Sequence, residues 1–141
     1  MDHVVYLDSK AKEFAGLLDS SKKMIIRGAT GRKIPYERVN SGDTLYFIEN
    51  DASGFICGRG VVANVLNSGK LSEEESKKLI EMNQNKLQLT SQQIARWAGK
   101  RYLVLIEVRD VVKVVPFPID KSGFSNMDDW LPVEDINRVK K

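Results

Sequence analysis

This 141-residue chain is poor in the side chains that most catalytic and metal centres use. It has one cysteine, Cys57, and one histidine, His3. A lone cysteine cannot close an internal disulfide, which agrees with a reducing compartment. One Cys and one His cannot assemble a zinc site of the usual kind. A Ser-His-Asp triad would have to use His3, and a Cys-His pair would need His3 with Cys57. His3 sits at the N-terminus, where the sequence places it exposed at a mobile end. Cys57 falls within an apolar strand pattern and reads as a buried, inert thiol. No Walker A sequence is present. Gly28-Ala29-Thr30-Gly31-Arg32-Lys33 resembles a phosphate loop in composition but lacks the Gly-Lys-Ser/Thr ending, which disfavours nucleotide triphosphate hydrolysis. No apolar run approaches the ~20 residues of a membrane span. Met1-Asp2-His3-Val4 lacks the basic and apolar regions of a secretory signal. The expectation is a cytoplasmic chain with no membrane, metal or cofactor partner.

What is present suits a folded domain. Hydrophobic residues make up 42% of the chain and charged residues 29%, which excludes a disordered tail. The length fits one domain over residues 1–141 with a single core. Net charge is only +3, so the distribution of charge says more than its total. Six basic residues, Lys22, Lys23, Arg27, Arg32, Lys33 and Arg38, crowd into 22–38 against one acid, Glu37. Acidic groups lie elsewhere, at Glu73-Glu74-Glu75, Asp128-Asp129 and Glu134-Asp135. Such segregation gives the molecule a positive side.

That basic stretch organises the chain. Met24-Ile25-Ile26 reads as a short buried strand, Gly28 to Gly31 as a loop, and Asn40-Ser41-Gly42-Asp43 as a turn. A positive loop held on a strand framework is a place for an anion, most commonly phosphate. Solvated surface charge is the competing explanation. Strand alternation sets Ile26 and Arg27 on opposite faces. With Ile26 in the core, Arg27 faces the loop, and Gly28 lets a ligand approach. Otherwise Arg27 braces the Gly-Asp turn through Asp43. Tyr36, beside the loop, is the aromatic best placed to stack a base. Trp97, on an apolar helix face, reads first as core, and Trp130 as a lid or core-edge residue.

Around it, Val4–Leu7 reads as a strand. A helix of about three turns, capped at Asp8 or Ser9, follows, with Ala11, Phe14, Ala15 and Leu18 on one face. Thr44–Glu49 and Phe55–Leu66 read as a hairpin with a five-residue loop, and Gly58 and Gly60 mark a bulge or bend in its second strand. Ser72 with Glu75, and Thr90 with Gln93, are capping boxes that open two helices. Arg101–Val108, apolar on both faces, is a central strand, continued by 111–115 after a bulge at Asp110. A loop at 122–126, a turn at 127–131 and a last short helix at 133–139 complete the chain. Strands separated by turns, with helices inserted rather than alternating, predict an α+β fold.

The stretch Ser20, Lys22, Ile25, Arg27, Pro35, Gly42-Asp43 resembles the signature of the ASCH domain, a branch of the PUA-like superfamily. Tyr102–Val108, Val111 and Pro116–Ile119 resemble that family's closing strand. Ser20 replaces the signature Gly and Ile25 the signature Glu. The resemblance implies a PUA-like, small, mixed but mostly antiparallel β-barrel with inserted and flanking helices. It implies a cleft beside the loop that binds RNA or a modified nucleobase. The site would comprise Lys22, Lys23, Arg27, Arg32, Lys33, Tyr36 and Arg38, with no catalytic residue. Some ASCH proteins that resemble this one are amidohydrolases acting on acetylated cytidine. By that alternative Lys22 would be catalytic, but Ile25 stands where they carry a hydroxyl, and the partner acid cannot be placed among Glu73, Glu74 and Glu75. Oligomeric state stays open.

Overall fold

The computed structural model describes residues 1–124 and 128–141. Six strands, β1 (Asp2–Leu7), β2 (Met24–Ala29), β3 (Thr44–Glu49), β4 (Phe55–Asn67), β5 (Tyr102–Pro118) and β6 (Trp130–Glu134), form one curled sheet in the order β2-β5-β4-β3-β1-β6. β1 and β3 run parallel and every other pair is antiparallel, as expected of a mixed, mostly antiparallel sheet. Helices α1 (Glu13–Leu18), α2 (Glu73–Leu87) and α3 (Ser91–Trp97) are inserted between strands. None of the described helices is long and apolar enough to cross a membrane.

β5 is the spine. It pairs with β2 on one side and β4 on the other, and its first half is buried on both faces. Val104, Ile106 and Val108 point into the curled sheet with Val5, Leu7, Ile25, Phe47 and Val62. Leu103 and Leu105 face outward and are covered by Leu87, Leu89 and Trp97 of the α2–α3 region. Asp110 takes a left-handed φ of 53° in mid-strand, and the pairing with β4 shifts register across it, where a bulge was expected. Register also shifts between Ile56 and Gly58, in the pairings with both β3 and β5. A Cβ on Gly58 would collide with the Phe14 ring, so glycine is what lets α1 dock on the bend. Both capping boxes form, Ser72 with Glu75 and Thr90 with Gln93.

Four expectations are corrected. The first helix is shorter than three turns. The Asp8 carboxylate accepts from the Ala11 amide at 3.1 Å, Glu13 Oε1 accepts from the Asp8 amide at 2.8 Å, and Lys12 turns left-handed, so regular helix starts only at Glu13. The C-terminal segment is not a helix over 133–139. Trp130–Glu134 pairs with the open edge of β1, where Leu131 and Val133 pack with Val4, Ile48 and Ile56. One 3-10 turn, Ile136–Arg138, remains, capped by Asp135. The loop and turn expected at 122–131 fall partly outside the described residues.

The third correction is His3. It is fully buried in β1 rather than exposed at a mobile end. Its Nδ1 accepts from Trp130 Nε1 at 3.1 Å, which leaves the ring proton on Nε2 to donate to Asp43 at 2.9 Å. Burial pulls its pKa below the ordinary 6.5, against the opposing pull of Asp43. Cys57 is half-buried rather than fully buried. Burial nonetheless pushes its thiol to about 11, so it is inert at neutral pH.

Candidate functional site

The sheet does not close. β2 and β6 are its two edges, and Arg27 spans the gap between them. Alternation along β2 puts Arg27 on the face of Ile25, inside the curl, while Met24 and Ile26 pack under the helices. Its Nη1 donates to the Ile26 carbonyl at 2.7 Å and its Nη2 to the Tyr6 carbonyl of β1 at 2.6 Å. The guanidinium lies between two indoles, 6.0 Å from the Trp97 ring centre and 5.7 Å from that of Trp130. Asp129 Oδ2 is 3.3 Å from Nε, close enough for ion pairing but off the line of the N–H, and among the described residues the buried Nε has no hydrogen-bond partner. Asp43, the bracing partner expected from sequence, is held instead by His3 and by the Asn40 amide. Arg27 is therefore a seam residue, 7% exposed, whose Nε donor is unspent among the described residues.

A cleft of about 210 Å³ opens beside it. Its walls are Arg27 and the following loop, with Lys33 and Tyr36, and on the far side Arg96, Trp97, Lys100 and Tyr102. Four cationic side chains line it against one carboxylate, Asp129. Tyr36 is pinned by a hydrogen bond from its hydroxyl to the Ser68 carbonyl and by an edge-on contact with Tyr102 at 5.5 Å. Arg32 lies over both rings, at 5.8 and 5.7 Å. Trp97 packs into the core as expected, yet it also lines the cleft, with exposed Arg96 stacked 4.3 Å from its ring centre. Gly28 itself lines the cleft. A Cβ there would meet Leu103 at 2.7 Å and Lys100 at 3.3 Å, so this glycine seats the segment that carries Lys100.

The expected site residues separate into groups. Arg27, Lys33 and Tyr36 line the cleft. Arg32 caps its tyrosines, and exposed Arg38 lies two residues beyond Tyr36 on the same loop. Lys23 is exposed but tied by backbone hydrogen bonds to Lys86 and Val108, away from the loop. Lys22 is a correction. It is 4% exposed, paired with Glu13 at 3.2 Å, and donates to the Leu87 carbonyl at 2.5 Å. Burial pulls its pKa below the ordinary lysine value, partly offset by Glu13. It borders a different hollow, among α1 residues and Gln93. Arg96, Lys100, Tyr102 and Asp129 were not among the site residues expected from the sequence. The only local signal was the basic pair Lys100-Arg101 directly after the helix-ending Gly99. Among the described residues, no group of three or more His, Cys, Asp or Glu side chains could hold a metal ion.

This curled six-stranded sheet with its inserted helices has the fold of solved ASCH proteins. The chain superimposes on the crystal structure of an ASCH protein from Zymomonas mobilis with a TM-score of 0.64, at 16% identity, covering 94% of this chain and 89% of that one. Two mutants of that protein give TM-scores of 0.69 and 0.67 at 14% and 15% identity, each covering 97% of this chain and 94% and 92% of theirs. Neither a protein-family model nor a curated protein matches the sequence. At these identities the likeness establishes the fold, which bears out the expected mixed, mostly antiparallel α+β architecture, as a curled half-barrel rather than a closed barrel.

Proposed function

We propose that the protein binds RNA or a modified nucleobase in the cleft beside loop 27–38. One observation carries this. The loop brings Arg27, Lys33 and Tyr36 into the same cleft as Arg96, Trp97, Lys100 and Tyr102, which come from elsewhere in the chain. Cations supply phosphate contacts, and aromatic rings supply flat faces for a base. The cleft offers concave room for a base. Arg96 is mostly exposed, so its guanidinium can yield the Trp97 face to a base without opening the core. Arg27 sets the electrostatic floor, and its constrained position is support for a preformed site. The ASCH-type fold adds weight by resemblance alone.

Only two tryptophans are present, and both contact Arg27. Intrinsic fluorescence is therefore the natural probe. Titration with a short single-stranded RNA should give a saturable change, with affinity falling about 0.7 log unit per log unit of salt for each phosphate contacted. No saturable change at low salt, with RNA or with nucleosides, would remove the proposal.

A further inference from the structure

The positive charge does not stop at the cleft. Residues 67–71 run beside the start of β5. The Ser68 amide donates to the Leu103 carbonyl at 3.0 Å and the Leu71 amide to the Arg101 carbonyl at 2.8 Å. The same segment meets the basic loop, through the Tyr36 hydroxyl on the Ser68 carbonyl and the Glu37 amide on Asn67 Oδ1 at 2.9 Å. Lys70 and Arg101 are thus carried to the region of Arg32, Lys33, Arg38 and Lys100. All but the half-buried Lys100 are exposed. None of the six forms an ion pair among the described residues. The nearby carboxylates do not cancel them. Glu73, which packs beside Gly99, is paired to Lys77 at 3.1 Å, Asp129 is shared by Arg27 and Arg96, and Glu37 alone stands among them.

A group of unpaired like charges is self-repelling, and a bound polyanion relieves it. We infer that this surface is a phosphate track leading to the cleft, so that the ligand is a single-stranded nucleic acid several nucleotides long rather than a free nucleobase or mononucleotide. This rests on the cleft being the nucleotide site. The track supplies sequence-independent backbone contacts from Arg38, Lys70 and Arg101, while the cleft takes one unpaired base. A duplex keeps its bases stacked and cannot present one to a cleft of this size without being opened.

The test compares ligand length on the wild-type protein. Binding of a ten-nucleotide RNA, the same-sequence DNA, its duplex and the four ribonucleoside monophosphates is measured across a salt series, by anisotropy for the labelled oligomers and by tryptophan fluorescence for the monophosphates. The single-stranded oligomers should bind at least tenfold tighter than any monophosphate, with a steeper salt slope, and tighter than the duplex. RNA and DNA arms together identify which backbone is preferred. The triple variant Arg38→Ala, Lys70→Ala, Arg101→Ala should lose about 2 from the oligomer's log–log salt slope, at ~0.7 per phosphate contact, with an unchanged melting temperature. Oligomers binding no tighter than monophosphates, a duplex binding as well as the single strand, or a triple variant that keeps the full slope would each overturn the track while leaving the cleft in place. No binding of any ligand would overturn the cleft, and the track with it.

Discussion

Lys22 and Arg27 stand five residues apart in one basic stretch, and the fold uses them in opposite ways. Lys22 is sealed. A buried carboxylate and a backbone carbonyl satisfy its ammonium, and α1 covers it. Arg27 is equally buried, but its partners are two carbonyls, two indole faces and an off-line Asp129, and it borders an open cleft. A compact ammonium is readily neutralised by one acid. A planar guanidinium presents a fork and two faces, and can brace a seam while leaving donor capacity over. A cluster of basic residues in sequence is therefore not one site. Which members serve a ligand depends on what the rest of the chain lays against each.

Removing a partner from the sealed end should give the largest effect. Glu13→Ala leaves the Lys22 ammonium buried beside only a carbonyl, and should lower unfolding free energy by about 3–5 kcal/mol, read from urea denaturation. Nucleotide affinity should be unchanged after correction for the folded fraction. Arg27→Lys comes next. The shorter ammonium cannot reach both the Ile26 and Tyr6 carbonyls or spread between the indoles, so stability should fall by about 2 kcal/mol. In contrast to Glu13→Ala, its affinity for single-stranded RNA should also fall. Loss of stability with full binding would make Arg27 a brace alone, like Lys22.

The contact between β1 and β6 at His3 should respond to pH. Folding lowers the His3 pKa below 6.5, so the unfolded chain binds the proton first. Stability attributable to His3 is thus complete above about pH 6.5 and declines as pH falls through the folded value. Protonation of Nδ1 also sets a donor against the Trp130 N–H. Thermal melts from pH 7.5 to 5 should show a falling midpoint, flattened in His3→Gln. The smallest effect belongs to Arg32→Ala, which removes the cation over Tyr36 and Tyr102. It should cost under about 1 kcal/mol of stability and, if one phosphate contact is lost, about 0.7 of the salt slope.

Local chemistry made much of the fold legible. The two capping boxes, the hairpin of β3 and β4, the two-faced β5 and the glycine bend of β4 follow from spacing and turn residues. Elements whose state depends on a distant partner were not legible. Val133–Val139 has helical spacing, but the unpaired edge of β1 draws Trp130–Glu134 into the sheet. His3 reads as a free terminus until Asp43 and Trp130 are brought to it. The loop half of the site, Arg27, Lys33 and Tyr36, was visible as a charge cluster. Arg96, Lys100 and Tyr102 were not, because curling of the sheet around β5, rather than proximity in the chain, lays them opposite the loop. The burial of Lys22 was hidden for the same reason, since Glu13 and Leu87 come from separate helices.

Photo-crosslinking reads the location of binding directly. A short single-stranded RNA carrying 4-thiouridine is irradiated with the protein, and crosslinked peptides are identified by mass spectrometry. Adducts should concentrate on Lys33–Arg38 and Arg96–Tyr102 and be lost at high salt. Adducts confined to the exposed ribbon of β4 and β5, or to the Lys22 end of the stretch, would contradict the cleft as the binding site.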